Sequence, residues 1–206
     1  MLKTLVKVGS VSNLSDARYC AGMGVSLIGY DFNTTSPHYV TPLQSKEISG
    51  WLSGVEAVGE CHGMSVSEIK TILTQYEINY IETDLFDEAL RNLGIPLIYR
   101  VFWQETTGFD GLLDIGKILS ENSSYFHYVL LESDAKKLTP ETEKLVYSLA
   151  ERFPLLLGFG VTADTIEKLL QESNIQGIAL RSNTEEKTGY TNANDLADLL
   201  ELMEED

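Results

Sequence analysis

Hydrophobic and polar positions alternate between two periods along this chain. Short runs rich in Val, Ile, Leu and Tyr at 5–9, 25–31, 55–60, 78–82, 95–102, 125–132, 154–158 and 175–180 read as strands. Apolar residues at helical spacing follow each of them, near 15–23, 42–52, 65–76, 86–93, 110–121, 139–152, 162–172 and 193–203. Strict alternation of strand and helix predicts a parallel sheet. Eight such units in 206 residues predict a closed (β/α)8 TIM barrel, near the lower size limit of that fold and with short loops. A doubly wound open sheet is the runner-up, but the Gly-rich dinucleotide fingerprint is missing after the first strand. No linker or low-complexity tract interrupts the series, so residues 1–206 are expected to form one domain ending in a solvated acidic helix end, "ELMEED".

Charge narrows the partners. Thirty-one acidic against 15 basic residues give a net charge of −16, a field that repels nucleic-acid backbones and anionic membrane surfaces. A small phosphorylated ligand is still compatible, because a few local cations can hold it. The opening "MLKTLVKVGSV" has too short an apolar run for a signal peptide, and no run of about 18 apolar residues suggests a membrane span. Two cysteines, Cys20 and Cys61, without metal-like spacing fit a reducing, cytoplasmic setting. Oligomeric state leaves no mark on the sequence.

A barrel of this kind builds its site from the C-terminal ends of the strands. The residues expected there are Gly9, Ser10, Tyr30, Asp31, Glu60 to His62, Glu82 to Asp84, Arg100 to Trp103, Glu132 to Asp134, Gly158 to Gly160 and Arg181 to Asn183. Lys7 shares parity with Gly9 and is expected inside the barrel, where it needs a carboxylate such as Glu82 or Glu132. Glu60-Cys61-His62 could be a relocated base or a ligand set, although neighbours on a strand face opposite sides. No second His or Cys lies at ligand spacing, so neither metal nor cofactor is expected. Phe102 and Trp103 read either as an aromatic lid or as packing between barrel and helices.

The stretch "KVGSVSNLSDARYCAGMGVSLIGYDFNTTSPHYVTPLQSKEI" resembles the opening of phosphoribosylanthranilate isomerases, and "SPHYVTPLQSKEI" is the most specific part of the likeness. "YVLLES", "LLLGFGVTADTIEKLL" and "GIALRSNTEEKTGYTNANDL" are similar, in order, to later strands of that family. The resemblance implies a TIM barrel of tryptophan biosynthesis that performs an Amadori rearrangement of an aminated ribose phosphate. That reaction needs a general acid at the ring oxygen and a general base at C2′. The family's base, a cysteine, falls on Gly9, which has no titratable group, and Ser10 is a poor substitute. The acid, an aspartate, falls on Glu132, one methylene longer. The family's arginine in Ser-Pro-Arg becomes His38, and its phosphate loops become "SDAKKLTPETEKL" without glycine, Gly158 and Gly160, and Ser182-Asn183. Arg181 is a new cation at that rim, either a phosphate contact or half of an ion pair. The resemblance thus assigns Glu132 to catalysis and His38, Gly158, Gly160 and Ser182 to ligand contact, and Lys7 and Glu82 by their place in the barrel, with Arg181 as the added cation, are expected to join that contact. Two readings follow: a drifted isomerase acting on a phosphorylated sugar derivative with a relocated base, or a non-catalytic barrel that binds a small ligand or a protein partner.

Overall fold

The helix starts are encoded locally. Asn13 accepts a hydrogen bond from the Asp16 N–H and caps α1, Leu14–Gly22. Thr41 and Gln44 form a capping box at α2, Pro42–Ser49, with proline in the first turn. Ser65 and Glu68 do the same for α3, Val66–Gln75. Thr139, with Pro140 behind it, opens α5, Pro140–Ala150, while α4 spans Gly108–Asn122. The last two helices are α6, Ile166–Glu172, and α7, Ala193–Leu202. The computed structural model describes residues 1–122, 125–182 and 193–205.

The strands are β1 Leu5–Gly9, β2 Leu27–Asp31, β3 Glu56–Glu60, β4 Tyr80–Thr83, β5 Leu97–Trp103, β6 Tyr128–Ser133, β7 Leu155–Leu157 and β8 Gly177–Arg181. They pair in parallel in sequence order, and β1 also pairs with β8, which closes the barrel. The predicted strands begin early: Val25, Ile78, Ile95, Phe126 and Ile175 precede their strands and instead pack into the layer between barrel and helices. Hydrophobicity reports packing, and these residues, Val25 buried and the other four half-buried, pack there outside the strands. A second correction falls at 86–93, where the expected α-helix is a 3₁₀ turn over Glu88–Leu93. Gly94, at φ 70°, ends it, and Pro96 leads directly into β5, leaving no length for an α-helix.

Side-chain parity divides the interior into two regions. Leu27, Val58, Tyr80, Ile98, Leu130, Leu156 and Ala179 point inward and fill the middle of the barrel. Outward residues such as Val8, Ile28, Tyr30, Ile81, Leu131 and Leu157 pack against the helices. Each large apolar side chain buried in this way contributes roughly 1.5–3 kcal/mol relative to exposure. The same alternation carries one step further up six of the strands to ionisable residues, and on β2 and β7 to Gly29 and Gly158. Apolar packing therefore forms a floor beneath a charged layer. Among the described residues no helix is long and apolar enough to cross a membrane.

Candidate active site

Six strands contribute a charged side chain to the upper interior of the barrel. Lys7 on β1 is buried between two carboxylates, its Nζ 2.6 Å from Glu60 Oε1 on β3 and 2.7 Å from Glu82 Oε2 on β4. Arg100 on β5 and Arg181 on β8 close on Glu132 of β6 from two sides, at 2.5 Å and 2.9 Å. Lys7, Arg100 and Arg181 thus face Glu60, Glu82 and Glu132, and the charges balance. Removing so many ions from water is costly, so pairing of this kind specifies geometry more than it adds stability.

The pairing fixes protonation states. Burial alone would raise the Glu60 carboxyl, but Lys7 and then Arg181 outweigh it and hold it at about 2. Burial would likewise raise Glu132, yet the guanidinium groups of Arg181 and Arg100 pull it below the usual carboxylate range. Burial would lower the Lys7 ammonium, and Glu60 and Glu82 instead raise it above the usual lysine value. Glu132 is therefore an ionised acceptor at neutral pH, with Arg181 Nη2 hydrogen-bonded to both of its oxygens.

Gly9 and Gly29 shape this arrangement. A Cβ at Gly9 would lie 2.5 Å from Glu60 Oε1, and one at Gly29 would lie 2.2 Å from the same atom. The position where the family resemblance places a cysteine is thus filled by the Glu60 carboxylate, which reaches from β3 across Gly29 of β2. Ser10 adopts φ 56°, a left-handed backbone uncommon for a residue with a side chain. That turn lets its N–H and its hydroxyl both donate to Glu60 Oε2, each at 3.2 Å. Ser10 does have a carboxylate beside it, but one held at about 2 accepts a hydrogen bond and does not remove a hydroxyl proton. The Gly9-Ser10 pair is therefore a seat for Glu60.

The other rim residues take distinct places. A Cβ at Gly158 would come 2.9 Å from Glu132 Cγ, so this glycine makes room for the longer acid. Gly160, at φ 68°, turns the chain after β7 against Leu138. The Ser182 N–H donates to the Gly9 carbonyl and its hydroxyl to the Ser10 carbonyl, tying the end of β8 to β1. Arg181 Nη1 also donates to Ser10 Oγ at 3.3 Å. His38 is half-buried in the loop between β2 and α2, where its N–H donates to Ser36 Oγ. Asn183 lies outside the described residues. Trp103 points outward into the α4 layer and donates to the Gly108 carbonyl, whereas Phe102 has inward parity and stands 44% exposed at the mouth.

The Glu60-Cys61-His62 triplet splits by parity. Glu60 faces the barrel interior, and Cys61 is buried in the outer layer, where burial, then Glu82 and Glu60, push its thiol up to about 12. His62 returns to the inward side above Glu60, with Nε2 2.7 Å from Glu82 Oε1 and its side chain 24% exposed. Among the described residues no group of three His, Cys, Asp or Glu side chains is arranged to hold a metal ion. Arg100 as partner of Glu132, and Glu60 as occupant of the Gly9 slot, escape sequence reasoning. The available signal was the pair of glycines at equivalent inward positions of β1 and β2, which leaves room for a long side chain from β3.

A closed (β/α)8 barrel with its ionisable residues collected and paired at the C-terminal mouth places them at the end of the fold where barrel enzymes build their sites. No family model matches the chain. Curated proteins do: N-(5′-phosphoribosyl)anthranilate isomerase of Maridesulfovibrio salexigens is 21% identical over 202 residues, covering 95% of this chain and 96% of the relative. The protein of the same name from Desulfovibrio desulfuricans is 24% identical over 198 residues, covering 94% and 92%. A solved phosphoribosylanthranilate isomerase, in complex with reduced 1-(o-carboxyphenylamino)-1-deoxyribulose 5-phosphate, superposes with a TM-score of 0.74 at 19% identity, covering 97% of this chain and 98% of that one. Along nearly its whole length the chain is thus similar to the phosphoribosylanthranilate isomerases, in sequence as in fold.

Proposed function

We propose that this protein binds a small phosphorylated sugar derivative at the barrel mouth and does not perform the family's Amadori rearrangement. The observation that carries this reading is the state of the two catalytic positions. The base position is Gly9, its slot filled by a carboxylate held at about 2, and the acid position, Glu132, is clamped as an anion by Arg100 and Arg181. A group that must donate a proton to a ring oxygen has to carry one, and a group that must accept one from carbon has to be basic enough to hold it.

Ligand binding is supported by the charged mouth and by the solved relative that holds a deoxyribulose 5-phosphate derivative. In this reading the phosphate sits between the ends of β7 and β8, near Gly158, Gly160, Arg181 and Ser182. His38 faces the other end of the ligand, and Lys7 and Glu82 set the electrostatics beneath it. The buried, unpaired Cys20 and Cys61 suit a cytoplasmic setting. The test is the fluorescence decay of phosphoribosylanthranilate in the presence of the purified protein. No decay above the spontaneous rate is expected, and robust turnover would overturn the reading.

A further inference from the structure

Glu132 is clamped and the Gly9 slot is filled, and among the described residues the inward-facing side chain beside them that can both donate and accept a proton is His62. Its ring stands two residues beyond Glu60 on the same side of the chain, partly open to solvent, at the mouth of the barrel. Its Nε2 lies 2.7 Å from Glu82 Oε1. Glu82 is fully buried and is itself held by Lys7, whose Nζ lies 2.7 Å from the other carboxylate oxygen. Lys7 is anchored in turn by Glu60. A carboxylate only accepts hydrogen bonds, so the neutral imidazole carries its proton on Nε2 and leaves the lone pair on Nδ1. Among the described residues Nδ1 has no hydrogen-bond partner. A proton-transfer group oriented by a buried carboxylate that is locked by a further residue is the arrangement general-base catalysis requires.

We propose that His62 is the proton-transfer residue of this barrel, positioned by Glu82, and that it acts on open-chain α-hydroxyketone sugar phosphates. The proposal rests on the ligand class given under Proposed function. The open-chain requirement follows from Glu132: an ionised carboxylate between two arginines donates no proton to a ring oxygen, so the barrel does not open a cyclic sugar. A ketone needs only the second half of the chemistry. His62 Nδ1 takes a proton from the carbon next to the carbonyl, the C–H electron pair becomes the enolate double bond, and the carbonyl oxygen takes the negative charge. Return of a proton from the imidazolium restores the ketone. In deuterated water the returning proton is replaced, so the reaction appears as exchange with no net change of substrate.

The probe is ribulose 5-phosphate in deuterated buffer. Its binding is measured by calorimetry, and deuterium incorporation next to the carbonyl is followed by NMR. Binding together with exchange above the buffer rate is expected. The substitution His62→Gln should reduce exchange about 100-fold or more with binding unchanged, since a positioned general base contributes about that much. The substitution Glu82→Gln should lower the exchange rate at saturation at least about 10-fold and Glu82→Asp should restore part of it, the pattern expected of a residue that orients the base through its charge. His62 is partly exposed, so His62→Gln is tolerated by the fold, and thermal melts of the variants verify this. Binding without exchange, or exchange that survives His62→Gln, overturns the assignment of His62 and leaves the ligand reading standing. Failure of ribulose 5-phosphate to bind overturns both.

Discussion

Gly9 and Glu60 occupy a single space: the Oε1 atom of Glu60 lies 2.5 Å from where a Cβ on residue 9 would stand. A side chain at position 9 and the observed placement of Glu60 exclude each other. The substitution Gly9→Ala should therefore destabilise the fold by about 1–3 kcal/mol, the usual range for overpacking a close-packed interior. Gly29→Ala should cost more, because its Cβ would also approach the Gly9 backbone at 3.1 Å. Urea unfolding of the two variants checks the order.

The same exclusion bears on restoring the isomerase. Gly9→Cys with Glu132→Asp should yield at most a trace of phosphoribosylanthranilate turnover, because the new thiol collides with Glu60 and the aspartate still lies between Arg100 and Arg181. Adding Glu60→Ala frees the slot but leaves the acid clamped and the arginine contact replaced by His38. Fluorescence decay should still show no more than a trace, and full recovery by the double variant would show that the collision is not decisive.

Acid should weaken the protein through Glu60. Its folded value of about 2 lies below the ordinary 4.5, so its contribution is complete above 4.5 and is lost as pH falls through the folded value. The window runs from about pH 4.5 down to about pH 2. Glu60→Gln should be less stable than the unmodified protein at pH 7, and the gap between the two should narrow across that window. A constant gap in unfolding midpoints between pH 6 and pH 3 would contradict this linkage.

Lys7 behaves with the opposite sign. Its folded value is raised above 10.5, so its contribution is complete below 10.5 and is lost only as pH rises through the higher folded value. Replacing it should cost far more than titrating it, because Lys7→Met leaves Glu60 and Glu82 buried without their shared cation. About 3–5 kcal/mol is expected from breaking such a pair. Chemical denaturation at pH 7 measures it, and a loss under about 1 kcal/mol would mean that water replaces the ammonium.

Arg181 tests the second cluster. Arg181→Gln leaves Glu132 with Arg100 alone and removes the hydrogen bond to Ser10 Oγ. About 2 kcal/mol of destabilisation is expected from losing charge-assisted bonds at a buried acceptor. Lys70→Gln, on an exposed side chain of α3, should change stability by less than about 0.5 kcal/mol and serves as the control.

The sequence by itself determined the barrel. Period-two runs alternating with helical spacing, and caps such as Thr41-Pro42 and Ser65 with Glu68, are local signals, and eight repeats of them leave one closed parallel topology. It also placed Lys7, Glu82 and Glu132 inside, because parity along a strand is set by residue number alone. It was less exact at strand starts, where half-buried residues outside the strands such as Ile95 and Phe126 extend the hydrophobic run. Which charges meet was decided only by the tertiary structure. Lys7 pairs with Glu60 and Glu82, not Glu132, because strand order and register bring β3 and β4 within its reach, while Glu132 on β6 is taken by Arg100 and Arg181 from β5 and β8. The absent base at Gly9 is visible in one letter of sequence. The Glu60 carboxylate that fills its place comes from 51 positions further along, through a contact that exists only when the barrel closes and two glycines leave the room.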